Sequence, residues 1–324
     1  MEPRTVRARL IHMRLPIDSH GLTWRAEALD SGHSEDDLAQ LIASKDLLRV
    51  SRGVYVIADR VKDLYVPDEL YRLKCVAAAT RTDTPFVLSH QSAAAVLRLP
   101  LLNPDRSRVH VVRDGARGSR RSTRHVHEGP TEGATVTVDG MTLTGLLRTT
   151  VDVAAEAAAG GRFARALAVF DSALRAGVLR EELTEVLEQR RRRGIAVARY
   201  ALRLADGRAA NPGESWSRAQ LIEAGLPKPD LQHEYVVTID GVRQRAFTDF
   251  DWNEKVSGEL DGTVKYLKHR RPGESELDAI LREKKREEAL RDVGTDPIRW
   301  TIDDLWRGRM VGRVAERLRR FGIL

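Results

Sequence analysis

Three carboxylates and a lysine in the last third of the chain are spaced for metal-assisted hydrolysis. Asp249 falls in the extended run RAFTDFDW, Glu259 and Asp261 lie two apart in KVSGELDG, and Lys265 follows four residues later. Alternate residues of an extended strand face the same way, so Glu259 and Asp261 share a face. Oxygen donors of this kind suit a hard cation, Mg2+ or Mn2+, which takes one or two carboxylates and fills its remaining positions with waters and phosphate. A cation held there could press on a phosphate oxygen and lower the pKa of an attacking water, which hydrolysis of an unreactive phosphodiester requires. Lys265 could position that water or stabilise the leaving oxygen. Asp251, one pleat from Asp249, is an alternative ligand. Glu214 is a further acid at the third helical position after Asn211, where a capping-box glutamate would also sit, and both readings stand.

Positioning these groups takes a sheet. From Asn211 the pattern reads helix, hairpin, strand, helix, strand, helix. Asn211-Pro212-Gly213-Glu214 opens a helix that Gly225 closes. EYVVTIDGVRQRAFTDFDW forms a hairpin turning at Asp240–Gly241. KVSGELDG is a third strand, SELDAILREKKREEALRDVG a helix, PIRWT a strand, and IDDLWRGRMVGRVAERLRRF one terminal helix. Trp306, Met310, Val314, Leu318 and Phe321 are its apolar stripe.

This succession, over roughly 110 residues, resembles the PD-(D/E)XK nucleases of the very-short-patch-repair (Vsr) type. Asp249 in TDFDW looks like that family's strand aspartate, and GELDGTVKY looks like its acid-x-Asp-Gly segment. Glu214 is similar to the acid of its first helix, and Arg286 and Arg299 to its supporting groups. Lys265 stands where many members have a histidine, which leaves the general base open. The resemblance implies a magnesium-dependent endonuclease acting on DNA, with Asp249, Glu259 and Asp261 on the metal, Glu214 and Lys265 completing the catalytic set, and Arg286 among the DNA contacts.

Nearer the N-terminus, Leu22 to Ala58 reads as helix, helix, hairpin. Thr23 can cap a first helix ending near Ser31–Gly32, and Ser34 a second carrying Leu38, Leu41 and Ile42. LLRVSRGVYVI then folds back around Ser51-Arg52-Gly53 as a wing. Together these make a winged helix-turn-helix. SRGVYV, followed by SHQSAAAVLRLP, VDGMTLTGLLRTTVDVAAE and FDSALRAG, resembles AbiEi-type antitoxins and regulators. The second helix begins Glu35-Asp36-Asp37, which would repel phosphate but stabilises a helix N-terminus. DNA contact is therefore expected from Arg49 and Arg52 on the wing and from Arg4, Arg7, Arg9 and Arg14, while a module that binds only protein stays open. A middle section contributes a helix at LSHQSAAAVLRL, strands at RVHVVR and RHVHE, a hairpin through Asp139–Gly140, and two helices. His125 and His127 alternate on one of these strands and, with no partner at metal spacing, read as surface or half-buried histidines.

The expected architecture is thus multidomain α/β. Residues 1–67 form a basic arm and winged helix-turn-helix, 68–210 a middle α+β regulator-like section, and 211–324 a restriction-endonuclease-like mixed sheet flanked by helices, with ADGRAANPG as the last linker. The formal charge is +7, yet from Asn211 onward 21 basic residues balance 21 acidic ones, so the excess lies wholly in the first 210 residues. A basic front half beside a neutral, carboxylate-bearing back half fits a protein that holds a polyanion with one part and works on it with the other. The single cysteine, Cys75, excludes an internal disulfide and a cysteine-based zinc site, and reads as a small buried hydrophobe. No apolar run reaches the roughly 20 residues of a membrane span, and MEPRTVRARLIHMRLP lacks the apolar core of a secretory signal. Cytoplasm is the expected location. DNA is the expected partner, with a cognate toxin or a repair or defence protein as a second. The main alternative is a DNA-binding regulator or antitoxin whose nuclease-like domain is catalytically silent.

Overall fold

The computed structural model describes residues 15–62, 64–82, 86–115, 118–131, 133–160, 162–191, 194–261 and 275–324. The chain is mixed α/β with three sheets among these residues. It divides into two units, Met1–Leu99 with Pro104–Asp152, and Pro100–Asn103 with Val153–Leu324. The division between Asp152 and Val153 falls within a helix. No helix among the described residues is long and apolar enough to cross a membrane.

Unit 1 opens with a three-stranded antiparallel sheet of β1 (Leu22–Trp24), β2 (Leu47–Ser51) and β3 (Val54–Ile57), in the order β1-β3-β2. Thr23 lies in β1 rather than capping a helix, and α1 (Arg25–Asp30) starts two residues later. Ser34 caps α2 (Glu35–Ala43) as anticipated: its Oγ accepts from the Asp37 amide at 3.1 Å, and the Asp37 carboxylate accepts from the Ser34 amide at 3.0 Å. At least one of the three acids thus acts on the helix end itself. Leu15, Ala28, Leu38, Leu41, Leu47 and Tyr55 close a small core beneath these helices.

The rest of unit 1 is built on a six-stranded sheet. Its strands are β4 (Val87–Leu88), β5 (Val109–Arg113), β6 (Ser119–Arg120), β7 (Arg124–Glu128), β8 (Thr135–Val138) and β9 (Met141–Thr144), in the order β6-β7-β5-β4-β9-β8. β5 and β7 run parallel, with His110 paired to His125 and Val112 to His127. The helices α3 (Val66–Thr80) and α4 (His90–Val96) belong to this unit, and Cys75 is buried in its main core, as expected. The division between units falls in α5 (Leu146–Ala159).

Unit 2 begins with α6 (Phe163–Arg175), α7 (Arg180–Glu188) and α8 (Ile195–Leu204), and continues into α9 (Pro212–Glu223). The segment read as a linker is packed: Ala209 is fully buried, and the Asp206 amide donates to Asp171 at 2.7 Å. Arg218 of α9 meets the buried Asp171 of α6 at 2.6 Å, a pair that fixes these helices together. The sheet of this unit is β10 (Asp230–Ile239), β11 (Val242–Trp252), β12 (Val256–Asp261) and β13 (Asp296–Thr301), in that order. Only β12 and β13 pair in parallel. Leu260, Ile298 and Trp300 face an apolar core shared with Leu305, Met310, Val314 and Leu318. Gly258 is required there, because a Cβ would come within 2.6 Å of the Trp300 ring. The opposite face meets α10 (Glu276–Asp292). The expected single terminal helix is broken into α11 (Ile302–Trp306) and α12 (Arg309–Arg320) by Gly308, whose φ of 65° no ordinary helix allows. Trp306 consequently leaves the apolar stripe and is 64% exposed.

Candidate functional site

Asp249 occupies a gap in the unit 2 sheet. The β10–β11 ladder runs through Leu231–Phe250 and His233–Thr248 but skips Gln232 and Asp249, and the β11–β12 ladder stops at Phe250–Gly258. Gln232 takes a φ of 53°, which turns it out of regular strand geometry. Into the gap Asp249 projects its carboxylate, and its Oδ2 accepts from the Leu260 amide at 2.9 Å. It thereby reaches the β12 backbone between Glu259 and Asp261. The expectation that these two acids share a face agrees with the register, which sets Glu259 beside Arg299 and Asp261 beside Thr301.

Glu259 is not an isolated carboxylate. It is 9% exposed, and its two oxygens meet Arg286 at 2.5 Å and Arg299 at 2.9 Å. Arg299 also pairs with Glu283 of α10 and stands 3.7 Å from Asp261. Burial alone would lower the Arg299 and Arg286 pKa values, but Glu259 and Glu283 outweigh it and hold both above the ordinary arginine range. Burial likewise pushes the Glu283 carboxyl up, and the two arginines overcome this to leave it below its usual value. Arg286, expected among the DNA contacts, sets its guanidinium on Glu259, Glu283 and the Phe247 carbonyl. Among the described residues Asp249, Glu259 and Asp261 do not converge within 4.8 Å as one set of three ligand atoms.

Asp251 is 2% exposed, accepts from the Tyr235 hydroxyl, and accepts from the Glu254 amide at 2.8 Å, which ties it to the hairpin fold. Glu214 is 2% exposed and accepts from the Ala210 amide at 2.7 Å, Asn211 Nδ2 at 2.6 Å and Gln232 Nε2 at 3.2 Å. Its carboxylate therefore serves the start of α9 and braces the residue opposite Asp249. Lys265 lies outside the described residues, as do Arg4, Arg7, Arg9 and Arg14. Arg49 and Arg52 are exposed on and beside the β2–β3 hairpin.

A second polar cluster lies in unit 1, where the sequence pointed only to His125 and His127. The parallel β5–β7 pairing adds His110, and the first residue of α4 adds His90. His110 Nδ1 and His127 Nε2 are 2.9 Å apart, and the His90 ring stacks on His127 with centroids 3.5 Å apart. Each of His110, His125 and His127 offers a nitrogen within 4.8 Å of the others. His110 is 2% exposed, and its Nε2 has no hydrogen-bond partner among the described residues. Arg120 Nε lies 3.2 Å from His125 Nε2. Burial, with His125 nearby, lowers the His110 pKa to about 4. Burial and the neighbouring histidines hold His90 well below the usual value, and burial with Arg120 lowers His125. The only early signal was the alternation in RHVHE, because the other two rings come from distant segments.

No protein-family model matches the chain. It is 36% identical over 188 residues to the uncharacterized proteins MT2308 and Rv2248 of Mycobacterium tuberculosis, strains CDC 1551 and H37Rv. The match covers 56% of this chain and 64% of either relative, so the chain spans less than two thirds of their length. The crystal structure of the Rv2827c protein of M. tuberculosis is similar at a TM-score of 0.36 and 15% identity, covering 72% of this chain and 87% of that one.

Proposed function

We propose that the chain binds DNA and hydrolyses its phosphodiester bonds with Mg2+ or Mn2+, unit 2 serving as a Vsr-like PD-(D/E)XK nuclease and the first sheet of unit 1 as a winged-helix contact. The observation that carries this reading is Asp249, lodged where both strand ladders lapse and held against the backbone between Glu259 and Asp261. Asp249 and Asp261 are the donors that fit a hard cation. Glu259, with both oxygens on arginines, fits one only by giving up a partner. Asp249 and Asp261 would accordingly hold the ion, which when bound would supply Lewis acidity and a water of lowered pKa. Glu259 would keep Arg286 and Arg299 in place beside the phosphate, and Glu214 would keep Gln232 braced against the gap. Lys265 retains its proposed role at the water or leaving oxygen. Arg49 and Arg52 would take phosphates of the same duplex, or of a neighbouring stretch of it.

The test is incubation of the full chain with supercoiled, nicked, mismatched and single-stranded DNA in Mg2+, Mn2+ or EDTA. Metal-dependent cleavage that falls by orders of magnitude in Asp249→Asn, with DNA binding kept, is the expected result. Wild type that cuts none of the four forms with either metal would overturn the nuclease reading. The arginine pairing of Glu259 favours the second reading, a regulator or antitoxin with a silent nuclease-like domain. That reading expects the wild type and Asp249→Asn to repress a reporter alike.

A further inference from the structure

We propose that His110, His125 and His127 of unit 1 form a binding site for a late first-row divalent cation, Zn2+ above all, backed by the stacked ring of His90. The strand register makes the site. His110 pairs with His125 across β5 and β7, and His127 is the next residue on the same face, so three imidazoles converge without any loop having to close. Their ligand nitrogens fall within 4.8 Å of one another. Two nitrogens on a tetrahedral zinc stand about 3.3 Å apart, since each bond is about 2.0–2.1 Å. The His110–His127 pair, at 2.9 Å, is already inside that span, and small ring rotations bring in the third.

The chemistry selects the ion. Neutral imidazole suits zinc, copper, nickel and iron, whereas Mg2+ and Ca2+ want oxygen. Two ring nitrogens facing each other can satisfy only one hydrogen bond between them, while an ion takes a lone pair from each. His125 and His127 are half-buried, so the site is reachable, and the buried His110 and His90 rings give it a rigid floor. Loading the ion at His125 Nε2 replaces the hydrogen bond from Arg120. This site does not depend on the nuclease reading, which concerns carboxylates of unit 2.

Chelator-stripped full-length protein is titrated with Zn2+ against a chromophoric chelator, and with Co2+ for its visible absorption. Uptake of one equivalent is expected, with a Co2+ spectrum of nitrogen ligation. His127→Ala and His125→Ala, both at half-buried positions, should each weaken uptake by more than about a hundredfold, beyond the loss an outer-shell change brings. The Asp249→Asn/Asp261→Asn double variant should keep it. Should a histidine variant fail to fold, imidazole 15N shifts of the wild type on adding Zn2+ identify the ligands directly. No uptake by the wild type, uptake unchanged in both histidine variants, uptake lost in the aspartate variant, or 15N shifts unmoved at these three rings would each overturn the proposal.

Discussion

Two parallel strand pairs in this chain carry polar clusters, and they handle charge in opposite ways. On β12–β13 the register sets Glu259 beside Arg299, and α10 adds Arg286 and Glu283, so that opposite signs alternate. On β5–β7 the register sets His110 beside His125, and the neighbours are again histidines. Like groups cannot share a charge in a confined space, so burial drives His110 and His90 toward the neutral form. The same device, alternate residues on one face of a parallel pair, thus makes a self-neutralising brace in one unit and a cluster of facing imidazoles in the other.

The comparison breaks most sharply at Glu259. Glu259→Gln takes from Arg286 and Arg299 a carboxylate they share and leaves both on Glu283, and removing one partner of a buried pair costs up to about 3–5 kcal/mol. Denaturant unfolding should report that loss in unit 2. A change below about 1 kcal/mol, the value of an exposed ion pair, would mean that the brace is solvated. It follows that Asp249→Asn, not Glu259→Gln, is the cleaner probe of the proposed hydrolysis. Acid should separate the two clusters next. In metal-stripped protein the His110 value in the fold, about 4, lies below the ordinary 6.5. Its contribution to unit 1 is therefore complete above pH 6.5 and lost as the pH falls through about 4. In unit 2, Asp304 is lowered to about 2, chiefly by its hydrogen bond from the Thr301 amide, so that contribution is complete above 3.8 and lost as the pH falls through about 2. Hydrogen exchange along an acid titration should show unit 1 loosening first, and a single shared transition would contradict the contrast. The smallest effect concerns the exposed arginines, which have no such brace to lose. Arg49→Ala and Arg52→Ala should each lower the slope of log affinity for DNA against log salt by about 1, with folding unchanged.

Much of the local structure was legible in the sequence. The Asp240–Gly241 and Asp139–Gly140 turns, the Ser34 cap and the shared face of Glu259 and Asp261 follow from turn chemistry, capping and a period of two. What stayed hidden was set by partners distant in sequence. Nothing in RHVHE announces that His110 will pair beside it, because parallel register is fixed by the connection between strands. Arg286 and Arg299 resembled supporting groups, yet their hold on Glu259 depends on how α10 lies over the sheet. The helix at Leu146–Ala159 was missed because its opening LLRTTVDV is rich in β-branched residues. ADGRAANPG has linker composition, but its small residues equally allow close packing, and that is their use here.

The bond from the Leu260 amide to Asp249 has a consequence for any occupant of the gap. A carboxylate has about four lone-pair sites, so a ligand that draws on Asp249 changes the strength of its bond from this backbone donor, and strand contact and ligand binding are linked reciprocally. Whatever tightens β11 against β12 through this contact changes the ligand's affinity by the same factor as the ligand changes the contact. The Leu260 amide is then a built-in reporter, whose resonance and exchange rate register occupancy without a substrate, a label or a turnover.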